Sequence, residues 1–431
     1  MFEGNNAGGP SGLPLPSQDF TPNCATETTP FPVRIDRGAF PHQPAEGSSK
    51  LPSTKENVAH LLETTSVKVR YDVIKKRLLI TRENEELSFS DLIGLANLNG
   101  QNAPWFADFV REIGEANLIN PVADWTVSVP WDGTDRLAAI YATVVADEDF
   151  PVGLKCLLID RWLKSAVAAA LKEDFRTRGV LTLQGSQGCG KTSWIARLVP
   201  PTLRGELVKL DHHLNPHDKD SVFIGVSHWI TEIGELDSSF RNDVARLKGF
   251  LTNDCDKLRL PYAKAPIEMK RRTVFAASVN EQNFLIDRTG NSRFWTIPVD
   301  SLDYEHQVDM QQVFAQLAKQ IEDGARWWLS PSEEALLEQH NERFKAVSVI
   351  EERLLEHMDC EPAKPRSMTP IEVLRTIGFN HPSNQQCREC GGILRARFGQ
   401  PKRIRGRERW QVPLKSPEGA WQKQDPAQDE Y

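Results

Sequence analysis

The stretch Gly179–Val199, "GVLTLQGSQGCGKTSWIARLV", decides how the rest of the chain is read. Its centre, Gly185–Thr192, has the form G-x-x-x-x-G-K-[ST], and each fixed position has a physical task. Glycines let successive backbone N–H groups turn inward as an anion-binding concavity, which a Cβ would obstruct. Lys191 brings a point charge to the β and γ phosphates. Thr192 offers a hydroxyl to Mg²⁺, and a helix beginning there adds the positive end of its dipole. The flanks agree: "GVLTLQG" is apolar and β-rich, and "TSWIARLV" is helix-compatible. Strand, loop and helix follow in the order the motif needs. Gly185, Ser186, Gln187, Gly188, Cys189, Gly190, Lys191, Thr192 and Ser193 are therefore expected to hold a nucleoside triphosphate.

Working outward, 431 residues leave room for two or three domains. With 52 Lys+Arg against 59 Asp+Glu the chain is mildly acidic, so any nucleic-acid surface must be local. No apolar run reaches about 18 residues, and no charged segment followed by an apolar one opens the sequence. A soluble, unexported, cytoplasmic chain without a membrane partner is expected. Seven scattered cysteines make no disulfide framework and fit a reducing compartment. Cys387 and Cys390 form "CREC", but only His381 stands near as a further ligand, so no zinc is expected.

Residues 1–54 hold nine of the 28 prolines, interleaved with Gly, Ser, Thr and Asn, and read as a disordered arm. Order is expected from "STKENVAHLLETT", where Ser53 and Glu56 have capping-box spacing. "VKVRYDVIKKRLLITRE" reads as two strands about a turn, and "PWFADFVREIGEANL" as a helix, giving an α+β region over 55–150. A core is expected over 151–330, opened by the helix "LKCLLIDRWLKSAVAAALKE". Trp125, Trp131 and Trp162 read as packing residues rather than a ligand cage.

Two further strands carry chemistry. "VSHWITEIGEL" places Glu232 at a strand end with Glu235 three residues on, where a parallel-sheet NTPase holds Mg²⁺ and polarises water. The spacing does not divide the metal and base roles between the two. "RTVFAASVN" is a buried strand tipped by Asn280, an amide that either orients the attacking water or begins a turn. In "DRTGNSRFWTIPV", Arg288 and Arg293 flank a Gly-Asn turn, each either a finger on a neighbouring subunit's nucleotide or an ordinary ion-pairing residue.

Taken together, "PVADWTVSVPWDGTDRL", "LQGSQGCGKTSW", "WITEIGELD", "LKGFLTNDCDKLRLPYAK", "FAASVN" and "DRTGNSRFW" resemble the virulence-associated protein E family, related to the superfamily 3 helicases of viruses, phages, plasmids and satellites. The likeness runs from Glu56 to Val299. It implies an α/β P-loop NTPase core of AAA+ type that uses ATP and Mg²⁺. Such a core assembles as a ring, usually a hexamer, and draws single-stranded DNA through a central channel. By position, Lys191 and Thr192 hold phosphate and metal, Glu232 is the Walker B acid with Glu235 beside it, and Asn280 is sensor 1. Lys248, Lys257, Arg259, Tyr262 and Lys264 fall where such helicases carry a pore hairpin, and cations beside an aromatic face suit phosphates and bases. The family's paired arginines are here Ser292 and Arg293, with Arg288 as the alternative finger. Its adjacent acidic pair is split as "EIGE".

After a long helical connector over 331–360, the prolines of "CEPAKPRSMTP" mark a boundary. "SMTPIEVLRTIGF" and "SNQQCRECGGILRARFG" read as helices, and "QPKRIRGRERWQVP" as two strands about Gly406. Helix, helix and β-wing over 361–415 is a winged-helix pattern, followed by a flexible tail over 416–431. Between Arg388 and Arg409 stand eight Lys/Arg against two Glu. Arg395, Arg397, Arg403, Arg405 and Arg407 are the expected DNA contacts there. The expectation is an ATP-dependent helicase in replication of a phage or other mobile element, with any primer made by a separate primase. The alternatives are an origin-binding switch on duplex DNA that does not unwind, or a P-loop kinase or signalling NTPase. An N-K-x-D guanine-reading motif is absent from the sequence.

Overall fold

In the computed structural model, residues 31–176, 178–234, 236, 246–258, 267–285, 291–345, 348–358 and 365–415 are described. They divide into two compact units, one of residues up to 72 with 77–119, the other of 73–76 with the chain from 120 onward.

The first unit is α+β. Helix α1 (Lys55–Thr64) precedes the antiparallel pair β1 (Val67–Asp72) and β2 (Arg77–Arg82). Then come β3 (Glu85–Glu86), α2 (Phe89–Leu98), α3 (Phe106–Glu115) and β4 (Leu118–Ile119), giving strand order β3-β2-β1-β4. Val67 and Val69 of β1 point inward onto Leu61, Leu62 and Val110, while Lys68 between them is exposed, the period-2 alternation of a sheet with one covered face. Two expectations change here. The cap of α1 is Thr54, whose hydroxyl accepts from Asn57 N–H, while Ser53 Oγ donates to Gln101 O. The segment expected to be a disordered arm is, over residues 31–54, packed on this unit: Phe40 and Leu51 are buried, and Asn99 and Asn57 donate side-chain N–H groups to Val33 O and His42 O. Apolar anchors and amide cross-links outweigh the proline-rich composition. Residues 1–30 lie outside the described residues.

The second unit begins with α4 (Pro121–Thr126), α5 (Leu137–Ala142), β5 (Val144–Ala146), α6 (Val152–Leu171), β6 (Val180–Gln184) and α7 (Lys191–Arg197). It continues through α8 (Pro201–Leu207), β7 (Val208–His212), α9 (Lys219–Val226), β8 (Ile230–Ile233), the antiparallel hairpin β9 (Cys255–Leu258) and β10 (Ile267–Lys270), β11 (Val274–Val279), β12 (Phe294–Leu302) and α10 (Met310–Glu322). Among the described residues six strands form one sheet in the order β5-β12-β6-β11-β8-β7. All neighbours run parallel except the edge strand β5. Parallel strands covered on both faces need unbroken apolar runs, and "VLTL", "ITEI" and "VFAASV" are buried almost throughout.

Helix α6 is buried around most of its circumference and packs on α10, β6 and β11. Its Trp162 donates Nε1–H to Phe275 O at 2.7 Å, and Trp229 donates to Ala166 O at 2.8 Å, so both large rings enter the core with their N–H groups satisfied. Arg271, Arg272 and Thr273 lead into β11, all nearly inaccessible to solvent. Arg271 grips Asp256 of β9 with two N–H groups, donates to Phe250 O at 3.0 Å, and lies 4.6 Å over the Phe250 ring. Arg272 donates to Ala170 O at the end of α6, at 2.9 Å, and pairs with Glu173. Thr273 Oγ1 donates to Val226 O and His228 O.

The expected long connector is broken. Helix α11 (Pro331–Asn341) ends in a 3₁₀ turn, Glu342–Phe344, and α12 (Val349–Glu356) starts afresh with Ser348 as its cap. There follow β13 (Arg366–Met368), α13 (Pro370–Thr376), α14 (Asn384–Phe398), β14 (Lys402–Ile404) and β15 (Arg407–Val412). Thr369 and Ser383 cap the last two helices through full capping boxes. Strand β13, which composition did not reveal, completes a sheet of order β13-β15-β14. These elements share a core of Leu354, Leu374, Ile377, Leu394, Trp410 and Val412. No helix among the described residues is long and apolar enough to cross a membrane.

His228, just before β8, donates Nδ1–H to Ile224 O at 3.0 Å and accepts from Lys75 Nζ at 3.1 Å, so its ring is neutral. Burial pushes its pKa from 6.5 down to about 4; the Ile224 carbonyl opposes the shift and the Lys75 ammonium adds to it. Above pH 6.5 the ring is neutral folded or unfolded. As pH falls from 6.5 toward 4, the unfolded chain takes up a proton that the fold refuses, and stability declines. Thermal unfolding at about pH 7.5 and about pH 4.5 should therefore show a larger loss for the wild type than for His228→Gln.

Candidate functional site

Because β6, β8 and β11 are parallel neighbours, their C-terminal ends meet at one edge of the sheet, and the Gly185–Thr192 loop leaves β6 there. The loop has little freedom. Gly188 and Gly190 have φ of +86° and +95°, the left-handed region that side chains rarely adopt. A Cβ on Gly185 would stand 2.3 Å from Val299 O, and one on Gly190 2.6 Å from the Tyr304 ring. Helix α7 starts at Lys191, so its first N–H groups face the cleft.

Lys191, 7% exposed, donates through Nζ to Gly185 O and Ser186 O at 2.8 Å and to Asn280 Oδ1 at 3.0 Å. Asn280 follows β11, the strand between β6 and β8, and so stands between the loop and the carboxylate of β8. That carboxylate is Glu232, fully buried. Its Oε1 accepts the Thr192 hydroxyl at 2.7 Å, and its Oε2 accepts Asp211 N–H at 3.2 Å. Gln187, Lys191, Thr192, Asp211, Asn280 and Tyr304 are among the walls of a cleft of about 420 Å³. His212, next to Asp211, is buried, and its Nε2 lies 2.9 Å from Ser221 O. Burial holds its pKa below the usual imidazole range.

The structure thus brings Lys191, Thr192, Glu232 and Asn280 to one place. Arg293 lies elsewhere. It is half-buried and immediately precedes Phe294, which pairs with Val180 at the start of β6, a strand's length, roughly 16 Å, from the loop. Lys248, expected to meet DNA, is buried (5% exposed) and donates to Asn291 Oδ1 at 3.3 Å. Its helical segment turns it inward, which its charge alone does not reveal. Lys257 on β9 is exposed and pairs loosely with Glu268 at 3.5 Å. Glu235, Arg259, Tyr262, Lys264 and Arg288 lie outside the described residues.

In the C-terminal part the basic residues separate into two groups. Arg395 pairs with Glu408 at 3.2 Å, Arg397 with Glu351 at 3.2 Å, and Arg409 with Glu372 at 2.8 Å. Arg403, Arg405 and Arg407 on the β14–β15 hairpin are exposed and have no ion-pair partner among the described residues. The hairpin turns through Arg405 and Gly406, both at positive φ, between the paired Ile404 and Arg407.

Sequence reasoning missed Asp211 and Tyr304. An acidic residue at the end of the strand "LVKLDH" was a signal for the first; nothing local marked the second.

The sequence model of the virulence-associated protein E-like domain matches residues 127–346. No curated protein matches the chain. Solved structures that resemble it include the apo structure of the NrS-1 C terminal region (305–718), with 14% identity and a TM-score of 0.36 over 83% of this chain and 98% of that one. The A form apo structure of the same region has 13% identity and a TM-score of 0.39 over 83% and 99%.

Replacing Thr192 by Val leaves an oxygen of the buried Glu232 carboxylate without its hydroxyl donor. Thr192→Val should lower the unfolding free energy by about 1.5–3 kcal/mol, and Thr192→Ser by much less, in urea titrations without nucleotide.

Proposed function

Because the chain belongs to the virulence-associated protein E-like family, we propose that its cleft hydrolyses ATP with Mg²⁺ and that the released energy moves the protein along DNA. The observation that carries this reading is the convergence of three strand ends: Lys191 on Asn280 at 3.0 Å, and Thr192 on Glu232 at 2.7 Å. The Lys191 ammonium is held by neutral oxygens, which the anionic oxygens of a triphosphate outcompete. The loop N–H groups and the start of α7 then surround the phosphates.

A hydroxyl and a carboxylate oxygen 2.7 Å apart are hard donors that fit Mg²⁺, which takes one or two protein ligands and completes its shell with phosphate and water. Thr192 and Glu232 would hold it. Bound there it would neutralise charge developing on the transferred phosphoryl group. Asn280 orients the attacking water from the neighbouring strand tip.

In this reading the sheet is a AAA+ core working in a ring, on the family likeness, as the replication motor of a mobile element. Arg293, at the far end of the sheet from its own cleft, would on the family likeness serve a neighbour's nucleotide. The C-terminal elements act as a winged helix on duplex DNA, with the hairpin cations as the main phosphate contacts.

Steady-state ATP hydrolysis with and without single-stranded DNA tests the motor. Hydrolysis stimulated by DNA, and reduced at least about 100-fold in Lys191→Ala, is the expected result. Hydrolysis indifferent to DNA would instead favour a nucleotide switch. For the hairpin, duplex binding measured against salt should lose about three from the log–log slope in the triple variant Arg403→Ala, Arg405→Ala, Arg407→Ala. Arg395→Ala and Arg397→Ala should change it less, because each already faces a carboxylate.

A further inference from the structure

The cleft contains a second carboxylate, and it has the exposure that Glu232 lacks. Strand β7 pairs with β8 through Val208↔Ile230 and Lys209↔Thr231, then His212↔Ile233, so three steps along β7 match two along β8. The extra residue forms a bulge, a device that re-aims side chains beside functional sites. Asp211 lies in it with φ of +48°, a left-handed conformation that aspartate tolerates better than most residues. Its side chain runs against Gly234, where a Cβ would stand 2.0 Å from Asp211 Oδ1, so a larger residue there would push the carboxylate aside. Asp211 is exposed and lines the same cleft as Lys191, Thr192, Ser278 and Asn280.

We infer that Asp211 is the water-activating carboxylate of this site, leaving Glu232 to the metal. The inference rests on the ATP-hydrolysis reading above. Glu232 has both oxygens engaged, one by Thr192 and one by the Asp211 N–H itself, and is shut off from solvent. A base must reach a water in the cleft. Asp211 opens onto the cleft, and its backbone N–H on Glu232 fixes where the residue stands relative to that carboxylate. In the step, an Asp211 oxygen takes a proton from water while the water oxygen bonds to the γ phosphorus. The bond from that phosphorus to the β,γ-bridging oxygen breaks, and ADP leaves with the electron pair. Asp211 then returns the proton to solvent, leaving ADP and inorganic phosphate.

Asp211→Asn keeps the shape and tolerates the left-handed backbone, and Asp211→Gly tolerates it fully. The full-length chain carrying either change, checked by thermal melting, is assayed for binding of a fluorescent ATP analogue with Mg²⁺, for turnover, and for the nucleotide recovered after denaturation. The expected result is affinity within about 2-fold of wild type, turnover lower by about 100-fold or more, and recovery of ATP rather than ADP. Turnover and recovered ADP unchanged in both variants would overturn the inference while leaving the hydrolysis reading intact. So would trapping of ATP by Glu235→Gln and not by Asp211→Asn. A wild type that hydrolyses no more ATP than Lys191→Ala removes the reading and the inference together.

Discussion

A carboxylate with no solvent exposure must have its oxygens satisfied by the protein, and at Glu232 this requirement organises the cleft. One oxygen takes the hydroxyl of Thr192, which sets the first turn of α7 against β8. The other takes the backbone N–H of Asp211, which holds the bulge of β7 in place. Three elements distant in sequence are thereby fixed on one side chain. The loop between β6 and α7 is constrained from its other side, where the Val299 carbonyl and the Tyr304 ring leave no room for anything larger than glycine. Lys191 closes the set by bridging the loop's own carbonyls to Asn280. The Gly185–Thr192 loop is thus one wall of a cleft whose other walls are strand ends.

What could be read in the sequence was what is local or strictly patterned. The loop motif needs only eight consecutive residues. Glu232 and Asn280 were legible because buried parallel strands show as apolar runs, and a polar residue at the end of such a run stands out. Asp211 was marked in the sequence only as an acidic residue at a strand end, and how it is aimed there follows from a register shift between β7 and β8 that neither strand records alone. Lys248 was misread because the direction a helical side chain points depends on what packs beneath it. The cap of α1 moved by one residue when Ser53 found a partner in Gln101, 48 positions away. Likewise, the Glu- and Leu-rich periodicity of 331–356 continues across a turn that breaks the helix.

Charge counted along the chain overstated the basic surface of the C-terminal part. Of the expected contacts, Arg395 and Arg397 face carboxylates from β15 and α12, while the hairpin arginines make no ion pair among the described residues. Exposed ion pairs contribute little stability, yet they lower the positive potential where they form. The effective field is therefore concentrated on a narrow β-ribbon whose turn is set by the left-handed residues Arg405 and Gly406.

Strand β11 is held very differently at its two ends. Where it begins, three consecutive side chains tie it to the β9–β10 hairpin, the end of α6 and the end of α9, using an ion pair, a guanidinium over an aromatic ring and several carbonyls. Where it ends, the side chain of Asn280 has a single bond among the described residues, to Lys191. In mechanical terms β11 is a beam clamped at its root, braced along its length by β6 and β8, and ending in one exposed amide. The hairpin base is bolted to that root through Arg271 and Asp256, so a displacement of the strand as a whole is shared by the hairpin.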